Sequence, residues 1–92
     1  MEILEELAND LKINREDLAR NSLKFVLGKE LSDTEAEMFK IANRHGIKSV
    51  LEFDELLKVG KVKEEDIIDD YMELDYLEAR REDLLRAIEK IK

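Results

Sequence analysis

The alternation of apolar and polar positions reads as helix from one end of the chain to the other. From Glu64 onward there is no Gly and no Pro. Apolar side chains fall at Ile67, Tyr71, Leu74, Leu77, Leu84, Ile88 and Ile91, in steps of three and four with one interruption where Arg81 sits on the stripe. That period is one face of a helix packed on another, and it predicts a long helix over residues 64–91. A second stripe runs through Leu23, Leu27, Leu31, Thr34, Met38, Ile41 and His45, which predicts another long helix over 15–45. Two shorter amphipathic runs complete the chain. Ile3, Leu4, Leu7, Ala8 and Leu11 predict a helix over 2–11, and Val50, Leu51, Phe53, Leu56 and Leu57 predict one over 49–59.

The boundaries carry their own chemistry. Asn14 is a good N-cap, with Asp17 placed to reach back to it and Ile13 and Leu18 placed as a hydrophobic staple. Ser32 with Glu35 spells a capping box and, taken alone, starts a new helix at Asp33. The apolar seam keeps its phase straight through Ser32, which favours one continuous helix; Gly28 weakens that helix without ending it. Gly46 followed by Ile47 is a Schellman ending, and Arg44 and His45 suit the negative end of the dipole. Ser49 with Glu52 forms the next capping box, and Gly60 closes the short helix.

Short connections favour antiparallel neighbours. The expected fold is therefore all-α, within one domain over residues 1–92. A hairpin of two long helices, 15–45 and 64–91, carries the short 49–59 helix at its tip and the 2–11 helix folded back at the other end. The expected core comprises Leu18, Leu23, Val26, Leu27, Leu31, Met38, Ile41, Leu51, Leu56, Ile67, Tyr71, Leu74, Leu77, Leu84 and Ile88. Phe25, Phe39, Ile68, Met72, Tyr76 and Leu85 lie off the main stripes and would be left exposed on a lone hairpin. A homodimer with a four-helix core is the simplest way to cover them.

Composition narrows the function. Charged residues make up 43% of the chain and hydrophobic ones another 43%, with no Cys, Trp or Pro. A thiolate metal site and a disulfide framework are excluded, and the Glu/Lys-rich, Gln-free bias resembles proteins of hot environments. The net charge of −8 disfavours a nucleic-acid coat, which needs cations against phosphate. No basic and then apolar leader and no membrane-length apolar run occur, so a soluble cytoplasmic protein without membrane contact is expected.

Catalytic chemistry finds no footing. His45 is the single histidine, and Ile41 and Ala42 occupy the positions one turn away where a metal or proton-transfer partner would stand; a helix-capping role outweighs a ligand role. Asp66, Asp69, Asp70 and Glu73 share a helix face that a hard cation would suit, but no Ca²⁺-type loop accompanies them and a solvated acidic face is the better reading. The serines lack a base, and the glycines stand singly, so no phosphate cradle is formed. Neither a cofactor nor an enzymatic activity is expected. The acidic run from Glu64 to Glu78 holds no basic residue. Its sharper reading is docking on a basic protein through Asp69, Asp70, Met72, Glu73 and Tyr76.

One stretch resembles a known family. Leu4-Glu5-Glu6-Leu7-Ala8, followed by Leu11-Lys12-Ile13-Asn14-Arg15-Glu16-Asp17-Leu18-Ala19-Arg20-Asn21-Ser22-Leu23, is similar to the helical part of ribbon-helix-helix proteins. It covers about residues 3–27. The resemblance implies a dimeric repressor or the antitoxin of a toxin–antitoxin pair, with a helical tail that grips a partner protein. The basic N-terminal strand by which that family reads DNA has no counterpart here. An interaction protein is therefore the leading expectation. The alternative is a DNA-binding regulator using Arg15, Arg20, Lys24 and Lys29.

Overall fold

Four helices make up the computed structural model, which describes residues 2–92; Met1 lies outside the described residues. They are α1 (Glu2–Leu11), α2 (Arg15–His45), α3 (Val50–Lys58) and α4 (Glu64–Lys90), and no strand occurs among the described residues. Ser32 lies inside α2, which runs unbroken for 31 residues, roughly 46 Å. The apolar seam and the burial it brings prevail there over the local capping signal.

The ends of α2 follow from single residues. Asn14 adopts an extended backbone, and its Oδ1 accepts the amides of Glu16 and Asp17 at 2.7 and 3.2 Å. At the other end Gly46 takes a left-handed φ of 65°, which lets the Ile47 amide donate to the Ala42 carbonyl. Ile47 is thereby folded into the core. The capping box expected at Ser49 forms only in part. The Ser49 side chain makes no cap hydrogen bond. The Glu52 carboxylate accepts from Lys48 instead, and the Val50 amide donates to Glu78 of α4 at 2.8 Å. The start of α3 is thus fixed by a side chain 28 residues away, which local sequence rules do not see.

α4 returns along α2 in the opposite direction. His45 meets Asp70 near one end and Glu35 meets Arg81 further along, and the last residues of α4 lie beside Ala19 and Leu23. Arg81, the apparent break in the apolar stripe, is this cross-helix partner: its Nε donates to Glu35 at 3.0 Å. α3 lies against α4, and α1 rests on α2 alone.

The core sits at the α3 end. Ile41, Ala42, Ile47, Phe53, Ile67, Leu74 and Leu77 form one buried cluster, with Met38, Leu56, Val62 and Tyr71 packed at its margin. Phe53, absent from the expected core, is its centre at 0% exposure, with the His45 ring edge-on at 4.8 Å. Three residues expected in the core are instead exposed: Leu23, Val26 and Leu51. Leu23 falls where α4 runs out, beside Ile91 and Lys92. Val26 belongs to the half of α2 whose third helix, α1, does not reach α4, and Leu51 points away from α4 on a helix with a single packed side.

The molecule is a rod of 62 × 18 × 18 Å with a radius of gyration of 19.2 Å, against about 12 Å for a compact chain of this length. It exposes 7170 Å². Surface-to-mass scaling gives about 5,500 Å² for a compact protein of 10.8 kDa.

Candidate functional site

The most distinctive surface is the side of α4 turned away from α2. Core contacts to α2 and α3 use Ile67, Leu74, Leu77 and Leu84. At about 100° per residue, the opposite side carries Ile68, Met72 and Tyr76 in steps of four. All three are exposed, Met72 at 63% and Tyr76 at 65%. They form an apolar ridge about two turns long. Glu65 and Asp69 flank it on one side and Asp75 on the other. Among the described residues, Glu65, Asp69, Glu73 and Asp75 take part in no ion pair. The ridge therefore lies in a frame of uncompensated negative charge.

Of the five contact residues expected from sequence, Asp69, Met72, Glu73 and Tyr76 are exposed on this part of α4. Asp70 is not available in the same way. Its Oδ2 lies 2.7 Å from His45 Nε2, and its Oδ1 accepts from Arg44 at 3.4 Å. The carboxylate joins the end of α2 to α4, and a docking role for Asp70 gives way to a structural one. His45 does more than cap: it touches Asp70 with its nitrogen and Phe53 with its ring. Sequence reading named Ile68 with Met72 and Tyr76 as exposed off the main stripes but left it out of the contact set, and it left out Asp75 from the frame. The four-residue step from 68 to 72 to 76 was the available signal, masked by the stronger core stripe beside it.

Tyr71, one position before Met72, is turned to α3, where its hydroxyl donates to Asp54 at 2.8 Å. That hydrogen bond to a carboxylate, reinforced by burial and by the negative charge of Asp54 and Asp75, lifts the phenol above its usual range. It is a tie between helices and lies outside the exposed ridge. Among the described residues no group of three or more His, Asp or Glu is placed to hold a metal ion.

The four cations of α2 considered for DNA contact do not make one surface. Arg15 pairs with Glu5 of α1 at 3.5 Å, and Lys29 with Asp33 at 2.9 Å. Lys24 and Lys29 are five positions apart, which turns them roughly 140° from each other around the helix. Arg20 and Lys24 remain exposed and make no ion pair among the described residues. No helix is long and apolar enough to cross a membrane among the residues described.

The family model described as "Uncharacterized protein MJ0235 family" matches residues 1–92. The curated "Uncharacterized protein MJ0235" of Methanocaldococcus jannaschii is 34% identical over 76 residues, covering 83% of this chain and 93% of that protein. No solved structure matches.

Proposed function

The chain belongs to the MJ0235 family, and from its surface chemistry we propose that it is a helical interaction protein, working by binding and not by catalysis. It pairs with a second copy of itself and offers the outer side of α4 to a basic protein. The observation that carries the docking reading is the Ile68–Met72–Tyr76 ridge set among the unpaired carboxylates of Glu65, Asp69 and Asp75. A ridge of this kind suits the helix-in-groove mode: apolar knobs enter a groove while a basic rim answers the acidic frame. The charges speed encounter and reject acidic surfaces, and the knobs supply most of the affinity.

The layout is antitoxin-like in outline, with a pairing region on the earlier helices and a charged helix that grips another protein. Nucleic acid is the less favoured partner, since the net charge is −8 and two of the four candidate cations are already paired. The test is capture of a basic partner by the full chain. Asp69→Lys with Glu73→Lys is expected to weaken capture tenfold or more, and rising salt to weaken wild-type capture in parallel. Met72→Ala with Tyr76→Ala is expected to lose it with no change in helical content. Capture that survives both double variants overturns the docking role.

A further inference from the structure

The outer face of α2 carries a second unpartnered pattern. Phe25 and Phe39 stand two heptads apart at 73% and 70% exposure. Between them the same face carries Gly28, Ser32 and Ala36, all exposed. Ser32 lies midway between the two rings. The pattern reads the same in both directions, with a large residue at each end and small ones in the middle. Such a face is self-complementary when a second copy lies across it head to tail. Gly28 fits this account. It stands inside a helix, where Gly costs about 1 kcal/mol relative to Ala, yet a Cβ added there would meet nothing within 4 Å. The single chain gives no reason for it; a helix crossing closely at that point does.

We propose that the outer face of α2 is the self-pairing surface of the protein, joining two copies antiparallel about a two-fold axis at Ser32. This rests on the reading that the chain pairs with itself, and it specifies where. In that register Phe25 of one copy faces Phe39 of the other. A cleft of about 300 Å³ lies beside Phe39 on its α4 side, lined by Glu35, Met38, Ala42, Ile47 and Arg81. Charge is compatible with the antiparallel sense. Lys29 and Asp33 sit on one flank of the stripe, four positions apart and 2.9 Å from each other. The two-fold axis lays this flank of one copy against the same flank of the other, which brings Lys29 within reach of the second copy's Asp33.

Area agrees with a second copy as occupant. The rod exposes about 1,600 Å² more than a compact protein of its mass, and a stable specific interface needs about 800 Å² from each partner. The faces of α2 that meet α4 and the second copy lie roughly 140° apart around the helix. The pair is thus a curved layer of four helices, and the outer ridges of both α4 helices stay free.

The native chain has no cysteine, so introduced thiols report the register directly. Ser32→Cys is expected to cross-link to itself under mild oxidation. Phe25→Cys mixed with Phe39→Cys is expected to cross-link only in the mixture, and Glu65→Cys on outer α4 not at all. Sedimentation equilibrium is expected to give a dimer for the wild type, weakened about 100-fold or more by Phe25→Asp with helical content unchanged. A wild-type dimer that Phe25→Asp leaves intact, with no Ser32→Cys cross-link, overturns the surface while self-pairing stands. Phe25→Cys cross-linking on its own overturns the antiparallel register. A wild type that stays monomeric at the highest concentration reachable overturns self-pairing itself. If such a monomer binds another protein through Phe25, the face belongs to that protein.

Discussion

The two ends of the α2–α4 pair start from similar amphipathic sequence and end in different states. At the α3 end, Ile41, Ile47, Phe53, Ile67 and Leu74 are sealed from water, because α3 lies on α4 and sends the Phe53 ring against His45 of α2. The opposite end has only α1 as a third element, and α1 rests on α2 without reaching α4. Ile3, Leu7, Leu11, Leu23, Phe25 and Val26 all remain exposed there. A helical pair alone is too thin to bury both sides of its helices; whether an apolar residue becomes core depends on a third helix reaching it. The sealed end holds the main buried cluster, while apolar surface that a partner can use is left at both ends, as the Ile68–Met72–Tyr76 ridge at one and Leu23, Phe25 and Val26 at the other.

This contrast can be broken most directly at Phe53. Phe53→Ala empties the centre of the sealed end and is expected to cost about 3–5 kcal/mol in denaturant unfolding. Phe25→Ala, the same deletion at the open end, is expected to change the unfolding of dilute, unpaired chain by less than about 0.5 kcal/mol. Equal costs at both positions would abolish the distinction. Hydrogen exchange sharpens it without mutation: amides of α2 near Ile41 and of α4 near Leu74 are expected to exchange about tenfold or more slowly than those near Leu23 and in α1.

The glycines divide the same way at smaller scale. Gly46, held at a φ of 65°, is expected to lose roughly 1 kcal/mol on conversion to Ala. Gly28→Ala is expected to stabilise the dilute chain by a similar amount while weakening self-pairing in sedimentation.

The smallest expected effect is an alkaline one at the sealed end. The Tyr71 phenol is raised above its usual value by its hydrogen bond to Asp54, so the folded state holds that proton more tightly than the unfolded chain. The contribution to stability is complete below about pH 10, the ordinary tyrosine value, and is lost as pH rises through the folded value. Unfolding midpoints above pH 10 should fall less steeply in Tyr71→Phe than in the wild type.

Much of the helical layout was legible because its signals are local. Asn14 and Gly46 mark the two ends of α2 through hydrogen bonds that close within a few residues, and the period of the stripes follows from the geometry of one helix. Local rules reached less far into the candidate site. Asp70 and Asp69 are neighbours in an acidic run and look interchangeable; only the approach of α2 commits Asp70 to His45 and Arg44. Phe53 lay on a recognised amphipathic run, but its rank as the centre of the core depends on how α3 settles over α4. Leu23 and Val26 continue the pattern of buried neighbours and are nonetheless exposed, because a period records which side of a helix is apolar and not how far the covering helix extends.

By itself, then, the sequence determined the helices, most of their ends and the acidic character of α4, since backbone hydrogen bonding, capping and charge act over a turn or two of chain. The tertiary structure alone decided which apolar residues are core, which carboxylate is spent on holding helices together and which faces are left open. Those outcomes depend on contacts between residues 17–46 positions apart, such as Tyr71 with Asp54 and Arg81 with Glu35, and no local pattern specifies the partner at that range.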